Sequence, residues 1–137
     1  MQHIIKYAAT LVLMFCLWPV MAQESALNFS ASSTNIYASG QQILINSVLT
    51  KSGNTFTWTQ NNNGTPYTLN FTITGSSGNW DPITSEGAIT YTLNLGSNPG
   101  SLSLIGNRSG ITLRLSLIPP GQGEKLYSFN LDSFTYQ

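Results

Sequence analysis

Apolar and polar residues alternate with a period of two along most of this chain. At its end Tyr127, Phe129 and Leu131 share one face, and the phase slips by one at Asp132–Ser133 before resuming at Phe134 and Tyr136. That pattern predicts a strand with one buried face, interrupted by a β-bulge. The same alternation begins at Leu27, Phe29 and Ala31 and is followed by a short segment, Ile36–Ala38. Gln41–Thr50 carries Ile43, Leu44, Ile45, Val48 and Leu49, apolar groups on both faces, and is expected to be a central strand. Phe56 and Trp58 share a face between threonines, and Asn61-Asn62-Asn63-Gly64 supplies the chemistry of a tight primed turn. The return strand directs Tyr67, Leu69, Phe71 and Ile73 inward.

Gly75 to Gly87 breaks the alternation and reads as the longest irregular stretch. Beyond it come strands through Ile89–Leu95, Leu102–Leu104 and Ile111–Leu117, a stop at Pro119-Pro120, and the terminal strand. No helical period is present. Eight or nine short antiparallel strands with a turn signal about every ten residues predict an all-β domain. A single β-sandwich, immunoglobulin-like, is the leading architecture, with a small barrel as the alternative.

Residues 1 to 22 have the form of a secretory leader. Lys6 precedes an apolar run over Ala8–Trp18, Pro19 breaks it, and Val20-Met21-Ala22 offers a small-residue cleavage site. The run is too short to span a bilayer, and no later segment is long and apolar enough to do so. Secretion is therefore expected, to the periplasm, the cell surface or beyond, leaving residues 23–137 as one domain. Cleavage removes Cys16 and His3, so the mature chain has no disulfide, thiol nucleophile or imidazole. Ser, Thr, Asn, Gln and Gly make up 62 of its 115 residues against nine charged ones. With twelve aromatics alongside, this composition predicts a folded domain with an uncharged polar skin rather than disorder. A net charge of about −1 provides no basic field for nucleic acid.

These absences exclude a Ser-His-Asp triad and a soft metal site, and catalysis is not expected. No cofactor is implied. Asp81 and Glu86 are the only carboxylates close together; as a pair they could act on a glycoside or ligate calcium, and otherwise they cap turns around Pro82. Trp80, in a Gly/Ser/Asn loop, is the candidate contact for a glycan, or else a cover over one end of the core. The outward rows Thr68/Asn70/Thr72/Thr74 and Thr90/Thr92/Asn94 are flat, uncharged and β-prone, so the sheet edges are covered either by the protein's own loops or by another chain.

The ending Ser133-Phe134-Thr135-Tyr136-Gln137 resembles the C-terminus of chaperone–usher pilus subunits. The penultimate Tyr136, the apolar Phe134 two residues before it and Gly123 upstream carry the resemblance. It implies an immunoglobulin-like sandwich lacking one strand, with the C-terminal strand (Tyr127, Phe129, Leu131, Phe134, Tyr136) bordering the resulting groove. A periplasmic chaperone would recognise that strand, and a neighbouring subunit would fill the groove by β-strand addition. The segment Ser25–Ser32, through Leu27, Phe29 and Ala31, would be the donor. The expectation is thus a non-catalytic structural or adhesive surface subunit, binding copies of itself or other subunits. The alternative is a monomeric carbohydrate-binding or adhesive module that uses Trp80.

Overall fold

Period-two alternation leaves each strand one apolar face to bury, and here eight strands bury those faces against one another inside a closed cylinder. The computed structural model describes residues 27–137; the expected leader over residues 1–22 lies outside them. The strands are β1 (Phe29–Ala38), β2 (Gln41–Ser52), β3 (Thr55–Asn62), β4 (Thr65–Asp81), β5 (Glu86–Leu95), β6 (Asn98–Asn107), β7 (Gly110–Leu117) and β8 (Lys125–Tyr136). Each pairs antiparallel with its successor, and β8 pairs antiparallel with β1 to close the barrel.

This corrects the expected sandwich. A sandwich needs strands that cross between two sheets, whereas six of the seven connections here are turns of only two to four residues. Strands joined that tightly pair with their neighbours in sequence, and a meander of eight twisted strands curls until its ends meet. The expectation that β2 is buried on both faces fails for the same reason: a single-layered barrel has one inside. Leu44 is 78% exposed and Val48 48%, both on the outer wall.

Local predictions fare better. Asn63 and Gly64 take positive φ angles of 53° and 84° in the β3–β4 turn, as an Asn-Gly primed turn requires. The phase slip at Asp132–Ser133 is a register shift against β1, which has a second shift between Ser33 and Asn35. That second irregularity fuses the two short segments expected before Gly40 into one strand.

The interior is filled by Phe29, Leu49, Phe56, Trp58, Phe71, Tyr91, Leu93, Leu102, Leu104, Leu113, Leu115 and Phe129, with smaller neighbours. The outer wall is dressed in hydroxyls that bond across strands: Thr59 Oγ1 to Thr68 Oγ1 at 3.1 Å, Thr90 Oγ1 to Ser103 Oγ at 3.2 Å, and Ser32 Oγ to Ser133 Oγ at 2.6 Å. Apolar inside and hydroxylated outside is the reverse of the lipid-facing band of a transmembrane barrel.

The stretch Gly75–Asp81, expected to be irregular, is instead the second half of β4. β4 runs past the start of β3, which it meets last at Thr72↔Thr55, and continues paired only with β5. The resulting β4–β5 ribbon reaches across one end of the barrel, where its Trp80 meets β8. Gly106 on β6 permits this, because a Cβ there would run into the Trp80 ring and the Ser85 carbonyl.

Candidate functional site

The two ends of the barrel are chemically different. One, called the covered end here, holds the start of β1, the end of β8 and the β4–β5 ribbon. The other, the mouth, holds the β1–β2, β3–β4 and β5–β6 turns and the Ile118–Glu124 loop.

At the mouth, Ile36, Ala38, Ile43, Ile45, Trp58, Gln60, Leu69, Leu117 and Tyr127 line a cavity of about 150 Å³. β1, β2, β3, β4, β7 and β8 each contribute, so the cavity is a property of the closed cylinder. Its floor is Trp58, 3% exposed, with its indole N–H donating to Ser47 Oγ at 3.0 Å. Tyr127 and Phe129 meet the Trp58 ring edge-on, with centroids 5.2 and 5.1 Å away. These contacts lock the indole, so the wall it presents is preformed. Among the described residues no charged side chain lines the cavity, and Gln60 is the one carboxamide there. Such a lining selects a neutral, mostly apolar guest with a single hydrogen-bonding group.

At the covered end Trp80 is a structural cover. Its indole N–H donates to Tyr136 Oη at 3.0 Å, and Ser85 Oγ shares a 2.7 Å hydrogen bond with the same oxygen. Phe134 lies beneath, stacked on Phe29 at 5.0 Å and edge-on to Tyr136 at 5.1 Å. Asp81 caps the ribbon's turn, its Oδ1 accepting from the Ile83 N–H at 2.9 Å and its carbonyl from the Ser85 N–H at 2.8 Å. Glu86 is its register partner across the ribbon, and both side chains are exposed.

The residues expected to line an assembly groove are divided between the two ends. Tyr127 borders the mouth, Phe129 and Leu131 pack on the core, and Phe134 and Tyr136 form the cover. The strand expected as a donor is inserted in its own barrel, with Phe29 opposite Tyr136 and Ala31 opposite Phe134. Leu27 packs partly buried beside it. The two elements expected to meet between subunits therefore meet within one chain.

Lys51 escaped sequence reasoning, which ended the second strand at Thr50. It is the penultimate residue of β2 and points inward, 2% exposed, in phase with Ser47 and Leu49. Its Nζ donates to the Leu27 carbonyl and stands over the Tyr91 ring, 5.2 Å from the centroid. Burial lowers its pKa from the ordinary lysine value and pushes the Tyr91 phenol up to about 12. Tyr91 Oη is fully buried, with no hydrogen-bond partner among the described residues. The signal was available: positions 47, 49 and 51 alternate inward, and a lysine at the end of that series is either core or the first residue of a turn.

No protein-family model matches the chain, and comparison with curated proteins and with solved structures found no match.

Proposed function

We propose that this chain is a secreted, non-catalytic binding module whose barrel mouth holds a small neutral ring. The observation that carries this reading is the preformed cavity of about 150 Å³ floored by the immobilised Trp58 indole. An apolar space of that size takes a guest of about one aromatic ring. Gln60 orients the guest through its carboxamide, and the aliphatic walls exclude charge. Aromatic recognition thus moves from Trp80, which closes the covered end, to the Trp58–Tyr127 pair that borders the cavity. Tryptophan fluorescence in a Trp80→Phe background, where Trp58 becomes the reporter within the barrel, tests the reading. Phenol produces a saturable change, and Ile45→Phe, which fills the cavity without adding an indole, weakens it by about tenfold or more. An absence of saturation, or an equal response from the filled variant, overturns the proposal.

A second reading, assembly by β-strand addition, is favoured by one feature. Among the described residues, β4 from Thr74 to Asp81 pairs with β5 on one side and has no strand on the other. Thr74 through Asn79 are exposed, uncharged and free of proline, the properties of an edge open to another copy. In this reading the assembling edge is β4 and not the C-terminal strand. Self-association that grows with concentration in analytical ultracentrifugation, and is lost in Ser77→Lys, is the expected result. A wild-type chain that stays monomeric at high concentration eliminates it.

A further inference from the structure

The covered end carries chemistry that mouth binding does not use. Lys51 and Tyr91 project from β2 and β5 into the same apolar interior, the amine against the phenol ring's face. In register, Lys51 is flanked by Phe29 on β1 and Phe56 on β3, both fully buried. An ammonium offers three N–H donors. Among the described residues one of them is satisfied, by the Leu27 carbonyl. The Tyr91 hydroxyl is a further donor with no acceptor among the described residues. The carboxylates among the described residues, Asp81, Glu86, Glu124 and Asp132, are all exposed, so none supplies an interior counter-charge.

We propose that the covered end of the barrel is a binding site for a small monocarboxylate, held between the Lys51 amino group and the Tyr91 hydroxyl beneath the Trp80–Tyr136 cover. A carboxylate answers each unmet requirement. One oxygen accepts a charge-assisted bond from Nζ, the other accepts the phenolic O–H, and a single negative charge neutralises a single positive one. A phosphate dianion would leave net charge among Phe29 and Phe56, at a desolvation cost that one ammonium does not offset. A neutral guest would satisfy the phenol and leave the cation unpaired. The group bound is the carboxylate, and the buried apolar neighbours Phe29 and Phe56 disfavour a second charge.

Acetate is the probe. Thermal melts of the purified chain at pH 7 are run in rising sodium acetate, against sodium chloride of equal ionic strength. The wild type shows a saturable, acetate-specific rise in Tm of at least about 4 °C. Lys125→Met, which removes an exposed lysine, behaves the same way. Lys51→Met loses the rise, and Tyr91→Phe requires about tenfold more acetate for half the effect. The carboxyl resonance of ¹³C-acetate broadens with wild type and not with Lys51→Met, a readout independent of any change in stability. The proposal is overturned if chloride gives the same rise, if Lys51→Met retains it, or if wild type shows neither shift nor broadening up to 100 mM acetate, a ceiling on the order of that for a weak small-ligand site.

Discussion

Lys51→Met stabilises the barrel at pH 7 by about 1–4 kcal/mol, measured by urea denaturation in a buffer free of carboxylates. The lysine is 2% exposed and, among the described residues, has no buried carboxylate beside it, so folding strips water from an ammonium and returns one carbonyl hydrogen bond and the face of a phenol ring. Methionine follows the same path, fills similar space and removes the charge. The pH profile identifies the cause. Because burial holds the folded-state pKa of Lys51 below its ordinary 10.5, the unfolded chain binds more protons between that lowered value and 10.5. Stability therefore rises with pH across this window. Tyr91 acts in the opposite sense: its pKa is raised from 10.0 to about 12, so the folded chain binds more protons there and stability falls as pH climbs. Wild type thus peaks near the junction of the two windows. Lys51→Met loses the rising limb and keeps the alkaline fall. A variant less stable than wild type at pH 7 would mean the ammonium is better solvated than its burial implies.

Trp58→Ala costs about 3–5 kcal/mol and lowers Tm by about 10 °C or more. The indole is the floor of the mouth and also the contact that joins β3 to β8 across the interior. Its removal cancels the edge-on contacts with Tyr127 and Phe129 and leaves the buried Ser47 hydroxyl without its donor. The cavity extends downward, and a rigid cylinder does not collapse to fill it. Trp58→Phe recovers most of the packing and leaves only the Ser47 bond unmade, so it falls well short of that loss. Calorimetry on the pair separates volume from hydrogen bonding. If alanine were tolerated within 1 kcal/mol, a smaller loss than the order expected for a buried tryptophan, the floor would be dispensable and the mouth would not be preformed.

The strands were readable from period-two alternation because one buried face per strand is a local requirement. Phe56/Trp58, Ile89/Tyr91/Leu93 and Leu113/Leu115 all face inward as that pattern demands. The Asn-Gly turn and the bulge near Asp132 were readable for the same reason. Sandwich and barrel impose the same alternation, so it cannot separate them. Connection length does, and the two-residue turns at Ser39-Gly40, Asn63-Gly64 and Gly96-Ser97 already favoured a meander. The strand over Gly75–Asp81 was hidden because β4 pairs there with β5 alone, and Ser76, Ser77 and Asn79 stay exposed, so alternation has nothing to register. Tyr67 shows the limit of phase alone. It alternates with Leu69 and Phe71, yet sits near the rim, 61% exposed. The mouth was invisible for a related reason: its wall is assembled from six strands, with lining residues spread from Ile36 to Tyr127.

Seven of the eight seams in this barrel join strands adjacent in sequence, and each can zip from its own turn. The eighth joins Phe29–Ala38 to Tyr127–Tyr136, pairing residues about a hundred positions apart, as in the Ser32–Ser133 hydroxyl bond. Its loop-closure entropy is the largest in the molecule, and it is met only once the rest of the meander is in place. Until then the growing sheet carries two bare edges, β1 at one side and the newest strand at the other. A chain that emerges from its N-terminus therefore exposes β1 from the first hairpin to the last. Its safety against pairing with a stranger rests on how quickly the final strand arrives.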